Sequence, residues 1–245
     1  MVVGINDYQD PKIPKLNGAE NDAKEVYTRL KNSDKYNFEI SNNHLLLGKN
    51  ATYLGIRNAL NDLFWYPNNY DLILLYFSGN MYVDKYGKSY IVPYDMTTEA
   101  PFLRGLRMGE LGDVIYQSPK NIPIMAVFDC CYSSDSIRKK ESIFYAEEQF
   151  HKDLGARTKS NILFLSIKAG TNQKEISNCM HSNADNPHSH GILSFHFIKG
   201  LDSQMKIEVD NIHEPLRMNQ LFKYVKEQIS KEEIDVIIYT KKLNK

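Results

Sequence analysis

Two continuous apolar runs in the chain are each followed by a short polar motif. The first run, Asp71 to Phe77, leads into Ser78-Gly79-Asn80-Met81, and the second, Ile122 to Phe128, leads into Asp129-Cys130-Cys131-Tyr132-Ser133. Runs of this length are typical of strands covered on both faces, as in a parallel sheet. Because ligand sites of open parallel sheets lie beyond the carboxyl ends of the strands, the pattern predicts that both motifs face one cleft.

The rest of the pattern predicts strands that alternate with helices. We expect further strands at 2–5, 45–47, 161–167 and 236–239, and helices at 22–31, 52–65, 108–116, 191–201 and 216–229. Residues 82–93 are typical of a hairpin that turns near Tyr86-Gly87. This order predicts an α/β domain with a mostly parallel sheet of about six strands flanked by helices, and a small hairpin after the third strand.

Composition narrows the class of protein. Of the 245 residues, 42% are hydrophobic, and 30 basic residues balance 30 acidic ones. No apolar stretch approaches the roughly 20 residues of a membrane span, and the charge balance indicates no nucleic-acid partner. Three cysteines cannot form the disulfide framework of a secreted domain, and no signal-peptide pattern is seen. We therefore expect one soluble domain in the cytoplasm, with no membrane or nucleic-acid partner.

The adjacent cysteines carry the clearest candidate chemistry. Successive side chains of a strand point to opposite faces, so only one of Cys130 and Cys131 can point into the cleft. The simplest interpretation of a cysteine here is a small buried hydrophobe. As a nucleophile, a thiol needs a neighbour that lowers its pKa or takes its proton, most often a histidine. The other motif carries Asn80 where such a base is expected.

Several motifs, taken in order, resemble those of the caspase and metacaspase family of cysteine peptidases. The first strand resembles V-G-I-x-x-Y, and L-x-G-A-x-x-D-A follows it; later come the family's S-G-H-G, Y-x-x-P-x-D, D-x-C-H-S-G and H-G-x-x-(S/T)-F. The corresponding residues are Val3, Gly4, Ile5, Tyr8; Leu16, Gly18, Ala19, Asp22, Ala23; Ser78 to Met81; Tyr90, Pro93, Asp95; Asp129 to Ser134; and His190, Gly191, Ser194, Phe195. The resemblance covers residues 2–238 and implies a caspase-like fold.

The resemblance assigns the catalytic nucleophile to Cys131 and the general base to the position of Asn80. An amide does not accept a proton near neutral pH, so Asn80 cannot activate a thiol. The oxyanion would be bound by the backbone N–H groups of Met81 and Cys131, although the family has glycine at position 81. Tyr132 and Ser134 also depart from the C-H-S-G motif. These departures imply absent or very low activity.

The resemblance also implies a substrate pocket for a basic side chain. In metacaspase-like members, the aspartates that match Asp22 and Asp129 hold the basic P1 residue of the substrate, and two carboxylates would complement arginine or lysine. The alternative for Asp22 is capping of the first helix, and that for Asp129 is ordering of the turn after its strand.

The long polar segments raise weaker hypotheses. By resemblance, residues 1–134 correspond to a large subunit, 135–159 to a linker and 160–245 to a small subunit of a single domain. Arg138, Lys139 and Lys140 form a candidate processing site, with Arg157 to Lys159 as a second basic group, although a solvated loop is the simpler interpretation. A substitute base among His181, His188 and His190 is one alternative. With Cys179 these histidines lack the paired spacing of a zinc site, so no metal is expected. Some metacaspases bind calcium, and the only candidate ligands for it in this sequence are the scattered acidic residues Glu147, Glu148 and Asp153.

Three functions remain open from the sequence. The first is a degenerate caspase-like domain that acts as a regulatory or partner subunit in signalling or defence, alone or in a homo- or hetero-oligomer. The second is an active cysteine endopeptidase that cleaves after arginine or lysine, with another base, or a variant whose base has been replaced. The third is a nucleotide-binding α/β module, which ranks last because no Gly-rich loop follows the first strand.

Overall fold

The computed structural model describes residues 1–32, 44–65, 70–86, 88–117, 122–133, 162–167, 190–204, 216–231 and 236–241. Within these ranges, only the backbone is described for residues 131–133, 162–167, 203–204, 216–219 and 236–241.

Strands and helices alternate along this part of the chain. The strands are β1 (Val2–Gly4), β2 (Leu45–Leu47), β3 (Ile73–Val83), β4 (Ser89–Ile91), β5 (Leu106–Arg107), β6 (Ile124–Ser133), β7 (Ile162–Ile167) and β8 (Val236–Lys241). The helices are α1 (Ala19–Lys31), α2 (Tyr53–Trp65), α3 (Pro101–Arg104), α4 (Met108–Gln117), α5 (Ile192–Gln204) and α6 (Leu216–Ser230), and Gly48–Asn50 form a 3₁₀ turn.

The main sheet has the strand order β2-β1-β3-β6-β7-β8. Strands β1, β2, β3, β6 and β7 pair in parallel, whereas β8 pairs antiparallel with β7. Strand β4 forms an antiparallel hairpin with the end of β3 and also pairs with β5. The predicted α/β fold, a mostly parallel sheet of about six strands with a hairpin after the third strand, is confirmed. Gly87, predicted at the turn, lies outside the described residues.

The two central strands run further than the apolar pattern predicts. Strand β3 continues through Ser78-Gly79-Asn80-Met81, and β6 continues through Asp129-Cys130-Cys131, in an unbroken register from Ile73 opposite Ile124 to Tyr82 opposite Ser133. The prediction that each strand stops at its polar motif is therefore wrong. The pairing between β3 and β6, together with the hairpin, extends the ladder past the apolar residues.

Alternating side chains of the central strands enter two separate cores. Ile73, Leu75 and Phe77 pack with residues of α2 and α4, whereas Leu74 and Tyr76 pack with α1, α5 and α6. Ser78 continues the second face, because its side chain reaches Asp22 of α1. The faces of β3 and β6 thus determine which polar side chains meet α1 and α5.

Thr52 and Asp95 cap the start of helix α2. The Thr52 hydroxyl accepts a hydrogen bond from the Gly55 N–H at 3.0 Å, and the Asp95 carboxylate accepts one from the Tyr53 N–H at 2.7 Å. Arg104 donates to the other Asp95 oxygen at 2.9 Å. Asp95 thereby joins the loop after β4 to the start of α2 and to α3.

Helix α1 begins three residues earlier than predicted. Its N-cap is Gly18, which makes no side-chain cap, so Asp22 lies inside the helix and does not cap it. The side chain of Asn6 accepts a hydrogen bond from the Glu20 N–H at 3.2 Å, a contact from another loop that the local sequence does not show.

Among the described helices, none combines the length and the apolar character that a membrane span requires.

Candidate active site and carboxylate pair

Asn80 occupies the position to which the resemblance assigns the general base. It lies opposite Cys131 in the parallel register of β3 and β6, so the backbones of the two predicted catalytic positions are neighbours. Its side chain is buried, and the Nδ2 group donates a hydrogen bond to the Pro14 carbonyl at 2.7 Å. The amide group of Asn80 is thus held against the loop that follows β1.

The backbone of Asn80 is held by the same loop. Its N–H donates to the Tyr8 hydroxyl at 2.7 Å, and that hydroxyl lies 3.3 Å from the Ile5 carbonyl, to which it donates. The Asn80 carbonyl accepts a hydrogen bond from the Val92 N–H at 3.1 Å. Residue 80 is therefore fixed from both sides, as a positioned base would need to be.

The other members of the predicted catalytic set are placed only in part. Met81 is buried in the core and lies opposite Ile91 and Tyr132 in the ladder. Cys130 is buried in the core formed with α2 and α4, in agreement with the expectation that one cysteine of the pair is a packing residue. Of Cys131, only the backbone is described, so its nucleophilic role and the oxyanion roles of Met81 and Cys131 stay predictions.

Asp22 and Asp129, which we call the carboxylate pair, are brought together at the start of helix α5. The Oδ2 atom of Asp22 accepts a hydrogen bond from the Gly191 N–H at 3.0 Å, and Oδ2 of Asp129 accepts one from the Ser194 N–H at 2.8 Å. Asp129 also accepts a bond from the Ser194 hydroxyl at 2.5 Å. Both aspartates are buried, with 1% and 6% of their surface exposed.

A histidine completes the set around Asp22. Nδ1 of His190 lies 2.5 Å from Oδ1 of Asp22, and its Nε2 lies 3.4 Å from a carboxylate oxygen of Glu25. The hydrogen bond to Asp22 raises the pKa of His190, and burial, which would lower it, is outweighed. A histidine between two carboxylates is stabilised as the imidazolium, which has no lone pair to accept a proton.

Burial raises the pKa values of both members of the carboxylate pair. For Asp22, hydrogen bonds from His190 and Gly191 oppose this effect without cancelling it. For Asp129, burial comes first and the charge of Asp22 adds to it, and together they raise the pKa to about 7. Two buried carboxylates at one site resist double ionisation, so the pair binds a proton more tightly than exposed aspartates do.

Tyr76 and Ser78 add hydroxyl groups to the same cluster. Because the Ser194 hydroxyl donates its proton to Asp129, the Tyr76 hydroxyl is the donor in its 2.5 Å hydrogen bond to Ser194. The Ser78 hydroxyl reaches Asp22 at 3.4 Å. Burial, and then the charges of the carboxylate pair, raise the pKa of Tyr76 well above its ordinary value.

The cluster includes residues that sequence analysis did not single out. Tyr76 lies in the middle of an apolar run, where a tyrosine is expected to pack in the core. Glu25 lies in a predicted helix among other charged residues, so it gives no sign of a specific contact. Ser194 and Gly191 were signalled by the H-G-x-x-(S/T)-F pattern, although their contacts with Asp22 and Asp129 were not expected. Asp129 lies within β6, so the turn-ordering alternative for this residue is wrong.

Several predicted residues lie outside the described residues, and their roles stay predictions. They include the candidate processing site, the second basic group, the remaining candidate bases and the scattered acidic residues: Arg138, Lys139, Lys140; Arg157, Thr158, Lys159; Cys179, His181, His188; Glu147, Glu148, Asp153. Within the described ranges, no group of three or more histidine, cysteine or acidic side chains is placed to hold a metal ion.

The strand order, the hairpin after β3 and the two polar motifs side by side define the α/β class of caspase-like domains. The family model described as the caspase domain matches residues 1–242, and the chain therefore belongs to this family. The crystal structure of protein GSU0716 from Geobacter sulfurreducens is similar in fold, with a TM-score of 0.64 over 98% of this chain and 91% of that one, at 14% identity. A search of curated proteins finds no significant sequence match.

Proposed function

We propose that this caspase-domain protein has absent or very low peptidase activity and acts as a regulatory or partner subunit in signalling or defence. The observation that carries the proposal is the side chain of Asn80, which stands at the family's base position and donates its amide hydrogen to the Pro14 carbonyl. An amide NH₂ group that donates a hydrogen bond cannot accept a proton from a thiol.

His190, one of the alternative bases that the sequence offers, is not a good substitute base. The ring of His190 is bound between Asp22 and Glu25, an arrangement that favours its protonated form. A general base must have an accepting nitrogen within reach of the proton that it removes. Loss of the base from a nucleophile and base pair typically lowers the rate by several orders of magnitude.

The competing proposal is an active cysteine endopeptidase. The presence of Cys131 opposite residue 80 favours it, since the position of a nucleophile next to the base position is retained. In that case a base other than Asn80 would act, and cleavage after arginine or lysine would follow the family analogy of Asp22 and Asp129. The nucleotide-binding alternative has no observation in its favour.

A peptidase assay with a fluorogenic peptide carrying arginine at P1 separates the two proposals. The unmodified chain, Cys131→Ala and Asn80→His are compared, each with and without added Ca²⁺. We expect the unmodified chain to match Cys131→Ala, and Asn80→His to gain turnover that requires Cys131. The Pro14 carbonyl can accept a hydrogen bond from one ring N–H of a histidine and leave the other nitrogen as the base.

A clear rate for the unmodified chain that disappears in Cys131→Ala would overturn the proposal. A silent unmodified chain together with an active Asn80→His variant would overturn the competing endopeptidase. The regulatory role has its own test, because a partner subunit must form a complex. Light scattering of the chain alone, and with an active family member from the same cell, is expected to show a stable assembly in at least one case.

A further inference from the structure

The carboxylate pair belongs to the first 133 residues of the chain, whereas its partners belong to the segment that begins at residue 190. Asp22 lies on α1 and Asp129 on β6, and the groups they accept hydrogen bonds from are Gly191 and Ser194 at the start of α5. Together with the bond between Tyr76 and Ser194, these contacts join α1, β3 and β6 to one helix end.

The accepting oxygens of the pair suit this end of a helix. The first N–H groups of an α-helix have no partner within the helix, and the helix dipole gives this end a partial positive charge. Asp22 and Asp129 each accept one of these N–H groups, so they cap α5 from two other elements. His190 adds a cationic ring directly beside Asp22.

The backbone of α5 is held very close to the pair. A side-chain Cβ atom at Gly191 would overlap the carboxylate of Asp129. Glycine is therefore required at position 191 for a close approach, although not for an unusual backbone conformation. Little room remains between the carboxylate pair and the helix for the side chain of another molecule.

We propose that Asp22 and Asp129 form a clamp that docks helix α5 onto the sheet, and that they do not form a subsite for an arginine or lysine side chain. An incoming guanidinium would have to displace the imidazole of His190 and the donors of Gly191 and Ser194. It would also have to enter a place where both carboxylates are almost fully buried. This inference does not depend on whether Cys131 is active.

Two conservative variants distinguish the clamp from a subsite. Asp129 uses one oxygen, Oδ2, for both bonds from Ser194, and the carbonyl oxygen of an asparagine can accept both. Asp22 uses Oδ1 for His190 and Oδ2 for Gly191, so an asparagine there keeps only one accepting oxygen and loses the negative charge that pairs with the protonated ring of His190. A clamp therefore predicts that Asp22→Asn is costly and Asp129→Asn is tolerated.

The first measurement is amide hydrogen exchange of the α5 segment in the full chain at pH 6.5. We expect exchange to be at least about tenfold faster in Asp22→Asn than in the unmodified chain, and to change by less than about threefold in Asp129→Asn. Equal exchange in all three proteins would overturn the clamp. If Asp22→Asn does not fold, Ser194→Ala replaces it, because it removes the hydroxyl donor to Asp129 while keeping the N–H.

The second measurement is calorimetric titration of the unmodified chain with N-acetyl-arginine amide, with N-acetyl-glutamine amide as the neutral control. The clamp predicts no difference between the two titrations and no added protection of α5. Binding of the arginine compound alone, with loss of that binding in Asp129→Asn, would overturn the proposal. Either result is independent of the peptidase assay, so failure of this inference is distinguishable from failure of the proposed function.

Discussion

The carboxylate of Asp129 accepts hydrogen bonds from both the backbone N–H and the hydroxyl of Ser194, at 2.8 and 2.5 Å. The two residues are 65 positions apart in sequence, and neither bond would exist if α5 were not docked on the sheet. Asp129 lies two residues before Cys131, so the same strand carries both the clamp and the predicted nucleophile. Docking of α5 and the geometry of the predicted catalytic motif are therefore coupled through β6.

The carboxylate pair predicts an unusual dependence of stability on pH. The pKa of Asp129 is raised to about 7 by burial and by the charge of Asp22, against 3.8 as the ordinary value. A raised pKa means that the folded chain binds this proton more tightly, so the contribution to stability is complete below about pH 4 and is lost as the pH rises to about 7. Asp22 and His190 also have raised pKa values and act with the same sign.

We therefore expect thermal unfolding of the unmodified chain to occur at a lower temperature at pH 8 than at pH 5.5. Asp129→Asn is expected to reduce this difference, because it removes the carboxyl group whose ionisation in the folded chain costs on the order of a few kcal/mol of stability. Glu227→Gln, at an exposed position on α6, is the matched control and should keep the full difference. A pH dependence that is unchanged in Asp129→Asn would contradict the interpretation.

Gly191→Ala is expected to destabilise the chain by about 1–3 kcal/mol, because the new methyl group overlaps the Asp129 carboxylate. Thermal unfolding measures the loss, which corresponds to a decrease of several degrees in Tm. The control is the double variant with Asp129→Ala, in which the obstructing carboxylate is absent. Gly191→Ala should cost less in that background than alone, and strictly additive effects would show that Asp129 is not what the methyl group meets.

Asn80→Asp tests the orientation of the amide at the base position. The change replaces the NH₂ donor with an oxygen that faces the Pro14 carbonyl, in a site that is 1% exposed. We expect a loss of about 2–4 kcal/mol near pH 7 and a smaller loss at acidic pH, where the new carboxyl can hold a proton and donate it to Pro14. Chemical denaturation at both pH values provides the measurement. A variant as stable as the unmodified chain at pH 7 would show that the amide does not donate to Pro14.

The sequence pattern was sufficient to predict the fold, because each strand of a parallel sheet covered on both faces is recognisable from its own apolar run. The apolar runs that contain Leu74 and Val127 gave the central strands, and helical spacing gave the helices. The ends of β3 and β6 were not predictable in the same way. Ser78, Asn80 and Asp129 are polar residues inside strands, and their partners come from α1, α5 and the loop after β1. Only the tertiary structure brings these partners into reach.

The candidate site was predictable in position but not in the roles of all its residues. The motifs around Asn80 and Cys131 were expected to meet, and the register places them side by side. The contacts of Asp22 were not expected, because a carboxylate on the first helix gives no local sign that it will cap a helix 169 residues later. The hydrogen bond of the Tyr76 hydroxyl was not predictable either, because a tyrosine in an apolar run is typical of core packing.

Tyr8 provides a last test, because it links the base position to the loop after β1. Its hydroxyl accepts a hydrogen bond from the Asn80 N–H at 2.7 Å, so Tyr8→Phe leaves a buried N–H without that partner. We expect a loss of about 1–3 kcal/mol in the free energy of unfolding. In the Asn80→His background, we also expect a lower kcat for any restored peptidase activity, since residue 80 is less firmly held.

Tyr86→Phe is the matched control, because the Tyr86 side chain is 73% exposed and the same atom is removed. It should change neither the stability nor the activity of the Asn80→His variant. Equal effects of Tyr8→Phe and Tyr86→Phe would contradict the role of the Tyr8 hydroxyl. A stability loss without any change in kcat would keep Tyr8 as a structural link and show that residue 80 is positioned without the Tyr8 hydroxyl.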